Sequence, residues 1–309
     1  MGIVVIGAVM VDIKGYPLAQ YIAGGRNSGR VLTVYGGVSR NVVEDIANVE
    51  LRPTYIGIVD ETATGADIIA QLERHKVNTS YMRQVKNGMG TWLAIFDNDG
   101  DVVASISQRP DLSEIGHILD DHGDEIFRDA DAIAMEIDMD SAILKKVFQL
   151  AEKHQKKVYA VVSNMAIAME RRDLLQKTAC IVCNREEAGL LFSDGSDSLS
   201  TEELQKLLVR KTRAAQYPKL VVTLGAEGSV WADENGESGY CPPKNVAVID
   251  TTGAGDAFFS GVVIGLTYGK SLGDACEIGT RLAASVIATK ENVSPRFQPA
   301  EFDLDVFVQ

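Results

Sequence analysis

Short apolar runs rich in β-branched residues alternate along this chain with longer stretches whose apolar positions recur every three or four residues. The runs at 3–7, 55–59, 132–137, 158–162, 180–183, 220–224 and 246–250 predict strands. The stretches at 40–47, 65–75, 141–154, 201–216, 257–268 and 272–289 predict helices. The strand runs are apolar at nearly every position, not at alternate ones, so both of their faces must be covered. Strand–helix alternation of this kind predicts an α/β fold: a doubly wound, mostly parallel sheet with helices on both faces.

Two regions break that rhythm. From Lys14 to Tyr35 the chain is Gly-rich and strand-like, with no helical period. From Gly90 to Gln108 two alternating runs flank Asp97-Asn98-Asp99-Gly100, a strong hairpin signal. These regions are expected to form a small antiparallel β lid on the core. The division expected is a core of 1–13, 38–87 and 110–309, and a lid of 14–37 and 88–109.

Composition narrows the function. With 30 basic and 43 acidic side chains, the 309 residues carry a net charge of −13, which argues against nucleic-acid or anionic-membrane partners. No run of about 18 apolar residues suggests a membrane span, and the N-terminus reads as a buried strand without a basic leader, so a cytoplasmic protein is expected. The four cysteines make no disulfide framework, and Cys180 and Cys183, three apart on a strand, should face opposite ways. His117, Asp120, Asp121, His122 and Asp124 resemble a metal cluster, but the spacing of the histidines suits solvated surface better.

The strongest chemical signal is Asp250-Thr251-Thr252-Gly253-Ala254-Gly255-Asp256, leading into the apolar run Ala257-Phe258-Phe259. An extended segment turning through glycines into a helix presents free N–H groups and the positive end of the helix dipole, an anion site. An acid beside an anion site repels the anion, but makes sense as a base taking a proton from an attacking hydroxyl. Hydroxyl, base and anion together suggest phosphoryl transfer, although an N-capping aspartate in a Gly-rich turn would look similar. Asp12 follows the first strand, at the carboxyl end where open sheets bind ligands. Gly36-Gly37-Val38-Ser39-Arg40-Asn41 begins a helix where backbone can approach a ligand closely. Asn184 followed by Glu187 has capping-box spacing. No G-x-x-x-x-G-K-[ST] or N-terminal G-x-G-x-x-G occurs, so neither a P-loop kinase nor a dinucleotide fold is favoured.

Taken together and in this order, these motifs resemble the ribokinase-like, phosphofructokinase-B carbohydrate kinases over the whole chain. The resemblance implies Asp256 as catalytic base and the N–H groups of Gly253, Ala254 and Gly255 as the anion hole. It implies Asp12, Gly36, Gly37, Arg40 and Asn41 at the substrate. Asn184 and Glu187 would organise magnesium and ATP, and Thr223, Gly225 and Gly228 would line the nucleotide site. Asp250 and Thr252 match places that bind a monovalent cation such as K+ in several relatives.

Within the family the likeness is nearest to bacterial pseudouridine kinases, on Asp12-Ile13-Lys14-Gly15-Tyr16-Pro17, Arg40 before Asn41, and Glu291-Asn292-Val293-Ser294-Pro295. The chain departs from them at Arg26-Asn27-Ser28-Gly29, Asp60-Glu61-Thr62 and Val161-Val162. The expected activity is ATP-dependent phosphorylation of a hydroxymethyl group on a sugar or nucleoside. Ribokinase, fructokinase and sugar-phosphate kinase activities stay open, as do a catalytically silent binding protein on the same fold and, less favoured, a nicotinamide-dependent oxidoreductase. A homodimer through the open edge of the lid is expected to be compatible with the fold.

Overall fold

The computed structural model describes residues 2–98, 102–137, 139–162, 164–192 and 199–304. Its strands are β1 (Ile3–Ile6), β2 (Met10–Pro17), β3 (Gly29–Gly36), β4 (Thr54–Ile56), β5 (Ile58–Asp60), β6 (Arg83–Val85), β7 (Gly90–Phe96), β8 (Val102–Gln108), β9 (Ala132–Glu136), β10 (Val158–Val161), β11 (Cys180–Asn184), β12 (Lys219–Thr223), β13 (Ser229–Asp233) and β14 (Ser238–Cys241). The helices are α1 (Val38–Asn48), α2 (Ala63–Arg74), α3 (Ser113–Asp129), α4 (Ser141–Lys153), α5 (Met165–Met169), α6 (Arg172–Leu175), α7 (Arg185–Phe192), α8 (Thr201–Ala215), α9 (Ala254–Thr267) and α10 (Leu272–Ile287).

The main sheet runs β14-β13-β12-β11-β10-β9-β1-β4 and is parallel from β4 through β12. Only β13 and β14 run antiparallel at the far edge. One apolar layer joins the sheet to α3, α4, α7 and α8, and the other joins it to α1, α2, α9 and α10. This two-sided burial explains why the strands read as continuous apolar runs. Cys183 packs in the first layer and Cys180 in the second, as their spacing on β11 requires.

The smaller sheet is ordered β3-β2-β7-β8, with both outer pairs antiparallel and the central β2–β7 pair parallel. Its register puts Asp12, Val34, Trp92 and Ser107 on one face, together with Lys14, Leu32 and Ala94. Ile13, Leu93 and Ile106 share the other face, where Ile106 stays 70% exposed. Of the hairpin turn, Asp99 and Gly100 lie outside the described residues.

Two expectations need correction. Residues 246–250 form no strand: among the described residues only the N–H groups of Ile249 and Asp250 find a backbone acceptor there, both at the Ile287 carbonyl that ends α10, so no ladder forms. Residues 55–59 are two strands that part at Gly57. The acid-rich segment around His117 is solvated surface as its spacing suggested: it is the exposed face of helix α3, whose buried face carries Ile115, Ile118, Leu119, Ile126 and Phe127. Its acids are held by basic neighbours: Asp120 by Lys146, Asp121 by Arg83, and Asp124 by Lys153 and His154. Among the described residues no helix is long and apolar enough to cross a membrane.

Candidate active site

The chain passes from β1 to β4 on one side and reaches β9 on the other, so the carboxyl ends of β1 and β9 form a switch point where an open sheet leaves a crevice. A cavity of about 930 Å³ opens there. Ala8, Asp12, Asn41, Glu136, Gly253 and Asp256 all line it, brought together from β1, the smaller sheet, α1, β9 and α9.

Helix α9 starts at Ala254, with Gly253 in the left-handed region at φ 83° as its N-cap. A Cβ on Gly253 would meet the Asn292 carbonyl oxygen at 2.0 Å, so the turn and the loop at 291–295 fit only through glycine. Ala254 N–H makes a long turn bond to the Thr251 carbonyl at 3.3 Å. Among the described residues the N–H groups of Gly255 and Asp256 have no backbone acceptor. A Cβ on Gly255 would meet nothing within 4 Å, which leaves open space above the first turn of the helix.

Asp256, the next residue, lines the cavity. Burial pushes its carboxyl up to about 7; the Asn41 hydrogen bond works against this, while Glu136 and Asp12 add to it. Asn41 Nδ2 donates to Asp256 Oδ2 at 2.7 Å, which fixes the carboxylate and leaves its other oxygen for a ligand. A carboxylate with ordinary acidity would be a weak base; this one is matched to neutral pH.

Helix α1 supplies the frame. Ser39 N–H and hydroxyl donate to Glu136 Oε1 at 3.1 and 2.7 Å, so Glu136 caps the α1 N-terminus from the end of β9. Asp45 accepts from Ser294 N–H at 2.6 Å and Asn48 donates to the Ser294 carbonyl at 2.7 Å. Burial raises the Asp45 carboxyl well above its usual range. Asn292 donates to the Tyr35 carbonyl at 2.8 Å. Through these bonds α1 and the loop at 291–295 hold the turn before α9.

The structure sorts the expected acceptor residues. Asp12 and Gly37 line the cavity, and Gly36 gives the Asp12 carboxyl room, since a Cβ there would lie 2.7 Å from Oδ2. Burial raises the Asp12 carboxyl, opposed by the charges of Lys14 and Arg40. Arg40 is only 2% exposed, and its guanidinium turns inward to Glu44, the Tyr35 carbonyl and Asn41 Oδ1. It therefore orients Asn41. Sequence reasoning missed Glu136, although an acid ending a buried strand at the sheet's carboxyl edge was a legible signal.

The expected nucleotide residues gather elsewhere on the same edge. Register pairs Asn184 with Thr223 across β11 and β12. Asn184 N–H donates to Glu187 Oε2 at 2.7 Å and Glu187 N–H donates to Asn184 Oδ1 at 2.8 Å, a closed capping box at the start of α7. The box leaves a carboxylate at the strand edge, oxygen chemistry suited to magnesium or its waters. Gly225 and Gly228 both have positive φ in the turn that follows β12. Asp250 accepts from Thr252 N–H at 2.8 Å; burial would raise its carboxyl, but this bond and the charge of Lys14 hold it below the usual range.

A crevice at the switch point of a parallel sheet, with a carboxylate poised near neutrality at a helix N-terminus, defines a phosphotransferase site of the open α/β type. The pfkB carbohydrate kinase family model matches residues 2–297, and the chain belongs to that family. It is an ATP-dependent kinase of the carbohydrate and nucleoside class. The chain is 33% identical over 293 residues to a guanosine-inosine kinase from Exiguobacterium acetylicum, covering 94% of this chain and 95% of that one. It is 25% identical over 276 residues to the pseudouridine kinase of Escherichia coli, covering 87% and 86%. In fold it matches a ribokinase of Arabidopsis thaliana complexed with ribose and ATP, at a TM-score of 0.81 and 21% identity over 99% of both chains.

Proposed function

We propose that the enzyme phosphorylates the hydroxymethyl group of a nucleoside, with purine nucleosides ahead of pseudouridine. The observation that carries this reading is the cavity. At about 930 Å³ it lies near the top of the roughly 300–1,000 Å³ range of small-molecule sites, and it extends past Asp12 to His117 and Asp120 on α3. A pentose between Asp12 and Asp256 would leave that far end to water, whereas a base attached to the pentose would fill it. The relative at 33% identity is named for guanosine and inosine, which favours purines over the pseudouridine acceptor that the motifs alone suggested.

In this reading Asp12 and the backbone at Gly36 and Gly37 hold the sugar hydroxyls. Asn41 holds Asp256, and Arg40 holds Asn41. The carboxylate of Asp256 takes the proton of the acceptor hydroxyl as its oxygen bonds to the γ-phosphorus and the γ-phosphorus–oxygen bond breaks, the electron pair leaving with ADP. N–H groups of Gly253, Ala254 and Gly255 meet the charge on the phosphoryl group, Gly255 most freely. Thr223, Gly225 and Gly228 line the nucleotide, and Asn184 and Glu187 hold magnesium, which when bound offsets the triphosphate charge. Closure of the smaller sheet as a lid keeps water from competing with the acceptor. The same reading puts the enzyme in the cytoplasm, beside its ATP.

ADP release with magnesium is the test, across guanosine, inosine, adenosine, pseudouridine, uridine, ribose, fructose and fructose 6-phosphate. Guanosine or inosine should turn over fastest. Ribose or fructose turning over as fast as any nucleoside would remove the nucleoside assignment, and ATP binding with no turnover on any acceptor would leave a silent binding protein. Running the panel with and without potassium tests whether Asp250 and Thr252 seat a monovalent cation; a rate indifferent to potassium removes that role.

The outer face of the lid sheet also supports a homodimer. Val31 and Ile106 are 68% and 70% exposed there, beside Leu93, an apolar patch that a second copy would cover. Ile106→Glu should shift the protein toward a monomer in size-exclusion chromatography with light scattering; an unchanged mass would rule this face out.

A further inference from the structure

We propose that Lys14 is a further site residue, whose ammonium group positions the phosphoryl group during transfer. The inference rests on the kinase reading and assigns that reaction a cation to which the motifs gave no role. Lys14 lies two residues beyond Asp12 on β2, so the two side chains leave the same face of the smaller sheet. That is the face whose Asp12 and Ser107 line the cavity.

Lys14 is 6% exposed, yet among the described residues it makes no hydrogen bond and no ion pair. Lysine is almost never buried to this extent without a partner. Its charge is felt on both sides, pulling down the carboxyl of Asp12 toward the acceptor and that of Asp250 toward the α9 N-terminus. Lys14 therefore lies near both Asp12 and Asp250, hydrogen-bonded to neither.

The charge balance at this end of the cavity points the same way. Asp12, Asp250, Asp256 and Glu136 are four acids around the place where a phosphoryl group must arrive. Arg40 is already matched by Glu44. Arg109, Lys146 and Arg171 also line the cavity, Lys146 paired with Asp120 and Arg171 held by the Ile137 and Met139 carbonyls. Lys14 therefore adds a cation with no hydrogen-bonded partner among the described residues to the charge that magnesium would supply. An unpaired ammonium on a movable sheet would bring that charge when the sheet closes, and it would favour the transition state over the bound acceptor.

Lys14→Met and Lys14→Arg, compared with the wild type, test this. At saturating ATP, Lys14→Met should lower kcat by about 10²-fold while the acceptor KM moves less than about threefold. Lys14→Arg should recover at least about tenfold of that loss. Without ligands the melting temperature of Lys14→Met should be unchanged or higher, because Met replaces an unpaired buried charge. ADP, magnesium and aluminium fluoride, a mimic of the phosphoryl group in flight, should stabilise the wild type and stabilise Lys14→Met far less.

A Lys14→Met kcat within about threefold of wild type, or an undiminished aluminium fluoride shift, overturns the proposal. A lower ligand-free melting temperature with the fluoride shift intact would make Lys14 structural and overturns it equally. Absence of turnover in the wild type on every acceptor would count against the kinase reading instead, and the fluoride shift would still decide Lys14.

Discussion

Asp256→Asn is expected to lower kcat by about 10²–10⁴-fold, the usual contribution of a general base, with ATP affinity nearly unchanged. Asn keeps the shape and can still accept the hydrogen bond from Asn41, so the loss is of proton acceptance and not of architecture. The same substitution should raise the melting temperature at pH 8. The folded-state pKa of Asp256 is about 7 against an ordinary 3.8, so the fold favours the protonated carboxyl. Its contribution to stability is fully present below about pH 4 and is lost as pH rises through about 7. Asparagine is neutral throughout and escapes that loss. In the wild type kcat/KM should rise with pH through about 7, where the base ionises. Glu136→Gln removes a like charge that raises the Asp256 carboxyl, so it should move this acid limb to lower pH; Gln can still accept from Ser39. Undiminished turnover in Asp256→Asn, measured by ADP release, would exclude Asp256 as the base.

What the sequence revealed and what it concealed have different physical origins. Strands buried on both faces announce themselves by unbroken apolar runs, so the parallel core was legible from β1 through β12. The glycines and acid at 253–256 were legible because few other residues can make that turn. Chain direction within the smaller sheet was not, since alternation is the same in parallel and antiparallel pairs; the β2–β7 pair proved parallel. Residues 246–250 have strand composition, yet they run past the end of α10 and bond only to its Ile287 carbonyl, so they join no ladder. The inward turn of Arg40 was hidden for another reason. Its partner Glu44 lies one helical turn on, and such a pair reads as an ordinary exposed i,i+4 contact until the helix is known to be buried.

The glycines at 253 and 255 should separate two requirements that the motif merges. Gly253→Ala places a side chain at φ 83° with its Cβ 2.0 Å from the Asn292 carbonyl, so backbone must move. A loss of about 2 kcal/mol or more in stability is expected, with activity lost along with the turn. Gly255→Ala meets no protein atom within 4 Å and sits in the first turn of α9, where Ala is the better helix former. Stability should therefore rise by about 0.5–1 kcal/mol. If the proposed anion hole holds, activity should nonetheless fall by about 10²–10³-fold, as on loss of an oxyanion donor, because the new methyl group would crowd the phosphoryl group at the Gly255 N–H. Denaturant unfolding and ADP release on the two variants give the answer. If Gly255→Ala were as active as wild type, the space above α9 would not be where the phosphoryl group passes. If it were unstable as well as inactive, the glycine would serve the fold. Only the combination of a firmer protein and a failed reaction assigns Gly255 to the ligand.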